Sequence, residues 1–148
     1  MDEIDKRILI ETQINFPLCK RPFKVLADRF GITEEEVLCK IRRLKRKGFI
    51  RRISPSFDSR RLGFVSTLIA MKVPKEKIED VANIVNRYDG VTHNYERQYE
   101  YNLWFTLISE SNERLEEIIN GIKEKTGIDQ ILNLPSLRVF KIDVNLIL

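Results

Sequence analysis

Between residues 103 and 107 the chain alternates without a break: Leu103, Phe105 and Leu107 are apolar, with Trp104 and Thr106 between them. A period of two marks a strand with one buried face. Just upstream, Gly90-Val91-Thr92-His93-Asn94-Tyr95-Glu96-Arg97 places His93, Tyr95 and Arg97 on one face of a second strand. A tight reversal at Tyr99-Glu100 predicts a hairpin of residues 91–97 and 101–108, returning Asn102, Trp104 and Thr106 beside them. One side of this hairpin is greasy and must be covered. The other carries an imidazole, a phenol, a guanidinium, an amide and an indole. The only His and only Trp of the 148 residues are both here.

The flanking sequence supplies the cover. Residues 64–73 read as an apolar strand, ended by Pro74. Residues 75–88 read as an amphipathic helix, with Ile78, Val81, Ala82 and Val85 on one side and Gly90 after it. Ser111 or Asn112 caps a second helix carrying Leu115, Ile118, Ile119 and Ile122, closed by Gly127. Residues 128–134 and 137–144 read as final strand segments, broken by Pro135. The order is β-α-β-β-α-β, the ferredoxin-like arrangement. Its helices cover one face of an antiparallel sheet and leave the other free.

Upstream the period is helical. Residues 2–15 form a helix with Asp2 as N-cap and Asp5 at the third position; Ile4, Ile8 and Leu9 share a face, and Phe16-Pro17 stops it. Pro22 opens a second helix that Gly31 closes. Thr33-Glu34-Glu35-Glu36 is a capping box for a third, with Val37, Leu38, Ile41 and Leu44 inward and Gly48 at its end. Three short helices with a turn at Gly31-Ile32-Thr33 make a helix-turn-helix. Phe49–Ile53 reads as a strand opening a wing, and Ser54–Ser59 as a polar linker. The expected architecture is α+β: a winged helix-turn-helix domain over 1–60 and a ferredoxin-like domain over 61–148.

Charge follows the same division. Residues 1–61 carry 16 Lys/Arg against 9 Asp/Glu, whereas the remainder carries 10 against 13. Lys40, Arg42, Arg43, Lys45, Arg46, Lys47, Arg51 and Arg52 lie together with no acid among them. Such a run suits DNA phosphates, a solvated helix face, or a ligand rich in carboxylates. Glu34-Glu35-Glu36 at the start of the recognition helix weighs against DNA, because phosphate repels them. No apolar run approaches the ~18 residues that span a bilayer, and the acidic start lacks a signal-peptide pattern, so a cytoplasmic protein is expected. Cys19 and Cys39 lack the spacing of a zinc site and are expected half-buried and reduced. There is no Ser/His/Asp grouping and no phosphate-binding loop. What stands out is the hairpin: a cation, a proton-transfer group and aromatic walls suit a flat anionic ligand.

A helix-turn-helix followed by a ferredoxin-like ligand domain resembles the Lrp/AsnC regulators. Several stretches resemble one branch more closely, the siroheme decarboxylases: Phe16-Pro17-Leu18, Arg21-Pro22-Phe23, Ile50-Arg51-Arg52-Ile53, Leu62-Gly63, Arg138-Val139-Phe140-Lys141-Ile142 and, above all, 91–97 with 101–106. The resemblance implies a lyase that removes two acetate carboxyl groups of siroheme as carbon dioxide, leaving didecarboxysiroheme in heme biosynthesis. It implies no organic cofactor and no metal of the chain's own, since iron arrives with the substrate. It implies pairing with a paralogous subunit as a heterodimer, or a homo-oligomer. His93 and Arg97 are the expected catalytic residues. His93 has two roles open to it, proton donor or axial ligand of the siroheme iron. Tyr95, Asn102, Trp104, Arg51, Arg52, Arg138 and Lys141 are the expected substrate contacts. The alternative is a Lrp/AsnC-type DNA-binding regulator with a heme-like or small acidic effector.

Overall fold

A computed structural model describes residues 1–142, which divide by their own contacts into a unit from Met1 to Ser56 and another from Phe57 to Phe140. The first unit is built on local signals. Helix α1 (Glu3–Ile14) starts at Asp2, whose carboxylate accepts from the Asp5 N–H while Asp5 accepts from the Asp2 N–H. Helix α2 (Pro22–Phe30) has Pro at its first turn and ends on Gly31 at φ 68°, the left-handed conformation that glycine adopts without a Cβ penalty. Helix α3 (Glu34–Arg46) begins with the expected capping box between Thr33 and Glu36. Ile8, Leu26, Ala27, Val37, Ile41, Leu44 and Ile50 close a buried core between the three helices. Each large side chain there contributes about 2 kcal/mol through its burial.

Among the described residues the expected wing strand at 49–53 does not form. Phe49 and Ile50 turn their N–H groups back onto the Leu44 carbonyl, finishing α3 instead of joining a neighbouring strand. Ile50 is buried in the helical core, and Arg51 to Ser56 run on exposed and without regular structure. Cys19 and Cys39 are exposed free thiols rather than half-buried ones, because Cys19 lies in a loop and Cys39 on the solvent side of α3.

The second unit runs β1 (Val65–Met71), α4 (Ile78–Val85), β2 (Val91–Glu96), β3 (Leu103–Ser109), α5 (Asn112–Thr126) and β4 (Ile131–Pro135). The four strands form one antiparallel sheet in the order β2-β3-β1-β4. Helices α4 and α5 are shorter or longer turns of the same device: Val81, Val85, Leu115, Ile119 and Ile122 pack on Ile69, Met71, Leu103, Phe105 and Leu107. A short 3-10 turn (Lys75–Lys77) precedes α4, which is shorter than the expected 75–88. Beyond Pro135, residues 137–142 are exposed and form no strand; the rest of the expected segment, 143 and 144, lies outside the described residues. A strand needs a neighbour for its N–H and C=O groups, and the described residues provide none there.

Candidate functional site

The sheet has one covered face and one open face, and the register states which residues share the open one. His93, Thr106, Leu68 and Leu134 lie opposite one another across the four strands. Tyr95, Trp104, Ala70 and Leu132 form the adjacent rung. The β2–β3 half of the face is therefore polar and aromatic, and the β1–β4 half aliphatic. Leu68, Leu132 and Leu134 remain about two-fifths exposed, an apolar surface without cover among the described residues. Alternation flagged the hairpin, but the aliphatic half went unread. Residues 68–71 are apolar on both sides of β1, so no alternation marked which side stays open.

His93 reaches this face through an irregularity. Val91 pairs with Leu107 and packs in the core, while His93 pairs with Thr106, so two residues of β2 advance against one of β3. In a regular strand Val91 and His93 would share a side, and the imidazole would be driven toward the helices. The bulge at Thr92 turns it outward, the re-aiming that β-bulges perform. Gly90 precedes the bulge for a steric reason: a Cβ there would lie 2.2 Å from the Ile108 carbonyl oxygen. The same crossing is bonded, since the Ile108 N–H donates to the Gly90 carbonyl at 2.9 Å.

The functional side chains hold one another. The Tyr95 hydroxyl lies 3.1 Å from His93 Nδ1, with the two rings 16° from parallel. The Trp104 indole N–H donates to the Tyr101 carbonyl, which fixes the ring on the sheet. The Arg97 guanidinium sits over that ring, 5.7 Å from its centroid. His93, Tyr95 and Arg97 are all exposed and open to a ligand. The chain reverses over Arg97–Asn102, closed by the Arg97 N–H on the Asn102 carbonyl at 2.7 Å.

Asn102 does not face a ligand: its amide nitrogen donates to the Val73 carbonyl at 2.7 Å and its oxygen accepts from the Val73 N–H at 2.9 Å. β1 has ended at Met71, and Asn102 supplies the pairing that a strand would have given. Arg51 and Arg52 lie in the irregular stretch of the first unit, and Lys141 groups with that unit too. Arg138 is exposed past β4, its guanidinium over the Phe140 ring at 4.9 Å. The hairpin thus gathers His93, Tyr95, Arg97 and Trp104 on one face, while Asn102 serves the scaffold.

The basic stretch of α3 is partly spent inside the fold. Lys40 Nζ lies 2.6 Å from Asp2 and 3.4 Å from Asp5, and Arg43 grips both Asp5 oxygens at 2.6 Å. The Lys40 ammonium, with the Asp5 N–H, holds the Asp2 carboxyl at about 2. Burial pushes the Asp5 carboxyl up, but the Asp2 N–H and the Arg43 guanidinium outweigh it and leave it below the usual range. Glu34 pairs with Arg21, and Glu36 belongs to the capping box. Arg42, Lys45 and Arg46 remain, around an open hollow of about 740 Å³ on α3 that includes Cys39.

Two family models match the chain, one in each half. Residues 61–141 match the AsnC-like ligand binding domain, and residues 5–51 match the siroheme decarboxylase NirDL-like HTH domain. The chain is 48% identical to the siroheme decarboxylase alpha subunit of Desulfovibrio desulfuricans over 98% of its own length and 83% of that protein. A solved structure of the siroheme decarboxylase NirDL with an iron-uroporphyrin III analogue superposes with a TM-score of 0.72 at 42% identity. That match covers 99% of this chain but 48% of the solved one, so this chain spans about half of its length. E. coli AsnC superposes with a TM-score of 0.82 at 20% identity, covering 98% of this chain and 97% of that one, a likeness of fold. The chain belongs to the siroheme decarboxylase family, a branch of the Lrp/AsnC-like proteins.

Proposed function

We propose that this chain is a subunit of a siroheme decarboxylase, a lyase that removes two acetate carboxyl groups of siroheme without an organic cofactor. The observation that carries the reading is the two-part open sheet face in a chain so similar to a siroheme decarboxylase alpha subunit. A tetrapyrrole is a flat apolar ring with a carboxylate rim. The aliphatic rungs of β1 and β4 suit the ring, Trp104 suits stacking on it, and Arg97 suits a rim carboxylate. In the reaction the bond between the acetate methylene and its carboxyl carbon breaks. Carbon dioxide leaves, the electron pair stays on the methylene carbon, and a proton converts it to methyl. In this reading His93, exposed on the same face, supplies that proton. Nothing is oxidised or reduced.

The partner in this reading is a paralogous subunit, consistent with the name alpha subunit carried by the relative, or a second copy of this chain. The compartment is the cytoplasm; no helix among the described residues is long and apolar enough to cross a membrane. A DNA-binding regulator is the second reading, favoured by Arg42, Lys45 and Arg46 on α3. It is weakened by the pairing of Lys40 and Arg43 with α1, which takes two cations from the phosphate-contacting set.

The test is anaerobic incubation of the chain with siroheme, alone and with a co-expressed paralogue. The expected product has lost two carbon dioxide units by mass. His93→Ala lowers turnover by ~10²-fold or more, the scale of a lost general acid, and Arg97→Ala weakens siroheme binding. An unconverted substrate together with tight, salt-steep binding of a specific DNA would overturn the enzyme reading in favour of the regulator.

A further inference from the structure

The two roles open to His93 require different nitrogen states. Donation to a substrate needs a proton on the nitrogen that faces the ligand. Axial ligation of iron needs a lone pair there. Which nitrogen of an imidazole carries the proton is set by the hydrogen bond made by the other. Here that bond is present: the Tyr95 hydroxyl is 3.1 Å from Nδ1. Both residues lie on the open face of β2, two positions apart, with their rings nearly parallel. A phenol is a better donor than acceptor, and an unprotonated imidazole nitrogen is the stronger acceptor of the pair. The favoured arrangement is therefore Tyr95 O–H donating to Nδ1, with the proton of the neutral ring on Nε2.

Across the hairpin Tyr95 pairs in register with Trp104, whose indole is tied to the Tyr101 carbonyl and lies under the Arg97 guanidinium. No other hydrogen-bond partner of the His93 ring is present among the described residues, so this phenol alone sets its tautomer.

We propose that Tyr95 is a positioning residue: its hydroxyl holds the neutral His93 ring as the Nε2–H tautomer, so that Nε2 presents an N–H to a ligand carboxylate rather than a lone pair to iron. Where siroheme is concerned, this rests on the decarboxylase reading above; the tautomer itself does not. Tyr95 then acts through His93 and makes no contact with substrate of its own that matters to the rate.

His93 is the only histidine of the chain, so uniform ¹⁵N labelling yields a single pair of imidazole nitrogens. Long-range ¹H–¹⁵N correlation of the neutral protein should show Nε2 protonated and Nδ1 shifted as a hydrogen-bond acceptor. In Tyr95→Phe, which keeps the ring and removes the hydroxyl, the Nδ1 resonance should move toward that of an unbonded nitrogen. A protonated Nδ1 in the wild type, or identical Nδ1 shifts in the two proteins, overturns the proposal. In the turnover assay with the partner subunit, Tyr95→Phe should lower kcat by ~10-fold with KM unchanged, the scale of a lost orienting partner. The double variant Tyr95→Phe/His93→Ala should be no slower than His93→Ala. Additive losses would show Tyr95 acting on substrate directly, against the proposal. If the nitrogen shifts behave as expected but siroheme is not converted, the positioning role stands and the decarboxylase reading falls.

Discussion

Asn102 shows how one side chain can be diverted from a site to the scaffold beneath it. Its amide satisfies both backbone groups of Val73, which is 3% exposed and just past the end of β1. Removing the amide leaves a buried N–H and C=O without partners, each costing about 1 kcal/mol or more. Asn102→Ala should therefore lower stability by about 2 kcal/mol, read by urea unfolding, while siroheme affinity per folded molecule is unchanged. A loss of affinity without loss of stability would return Asn102 to the ligand site. His93 and Arg97 should show the opposite signature, because both are exposed and hold no buried group in place.

Between elements, two joints decide the geometry. The first ties α1 to α3 through Asp2, Asp5, Lys40 and Arg43. Asp5 is 1% exposed, and its removal leaves Lys40 and Arg43 to Asp2 alone, at 2.6 Å and 3.6 Å. Asp5→Ala should cost about 1–2 kcal/mol, because the capping box and the Arg43 fork are lost while Asp2 keeps both cations paired. Both carboxyls lie below their unfolded range, Asp2 at about 2. The folded state therefore binds fewer protons than the unfolded state, and the joint contributes fully above about pH 4. That contribution is lost as the pH falls toward 2. Lys40→Met/Arg43→Met should raise the midpoint of acid unfolding, followed by circular dichroism. The second joint is the crossing of Gly90 under β3. Gly90→Ala places a Cβ 2.2 Å from the Ile108 oxygen, so the start of β2 must shift. The expected outcome is a loss of about 2 kcal/mol or more, a cost typical of forced overlap with backbone. It should be accompanied by lost activity, because the bulge that aims His93 follows directly. Wild-type turnover in Gly90→Ala would remove the bulge from the account.

The second unit as a whole is one-sided: helices and core on one face of the sheet, a mixed apolar and polar surface on the other. Leu68 and Leu134 each remain about 40% exposed on that surface. Leu68→Glu and Leu134→Glu should change unfolding free energy by less than ~1 kcal/mol, because neither supports the core. Each should abolish siroheme binding, measured by absorbance titration. Retained binding in both variants would show that the open face is not the working surface.

The ends of α1, α2, α3 and α5 were legible because each signal is local. Asp2, Thr33 and Ser111 cap through atoms three residues away, and Gly31 and Gly127 close helices by their own backbone conformation. The covered side of β3 was equally legible, since alternation is a property of the strand itself. Strands that needed a distant neighbour were misread: Phe49–Ile53 and the residues after Pro135 have strand-like composition but nothing to pair with among the described residues. The charge of α3 was overcounted for the same reason, because the partners of Lys40 and Arg43 lie 38 residues away. The hairpin face was read as one polar surface, and His93, Tyr95, Arg97 and Trp104 do meet there. Yet plain alternation would have carried Val91 to that surface with His93. Packing decided otherwise: Val91 is worth more in the core, Gly90 lets the strands cross closely, and one extra residue in β2 turns the imidazole outward. Residue types and local periods travel with the chain; which side of a sheet they finally occupy depends on pairings that exist only once the distant strands have met.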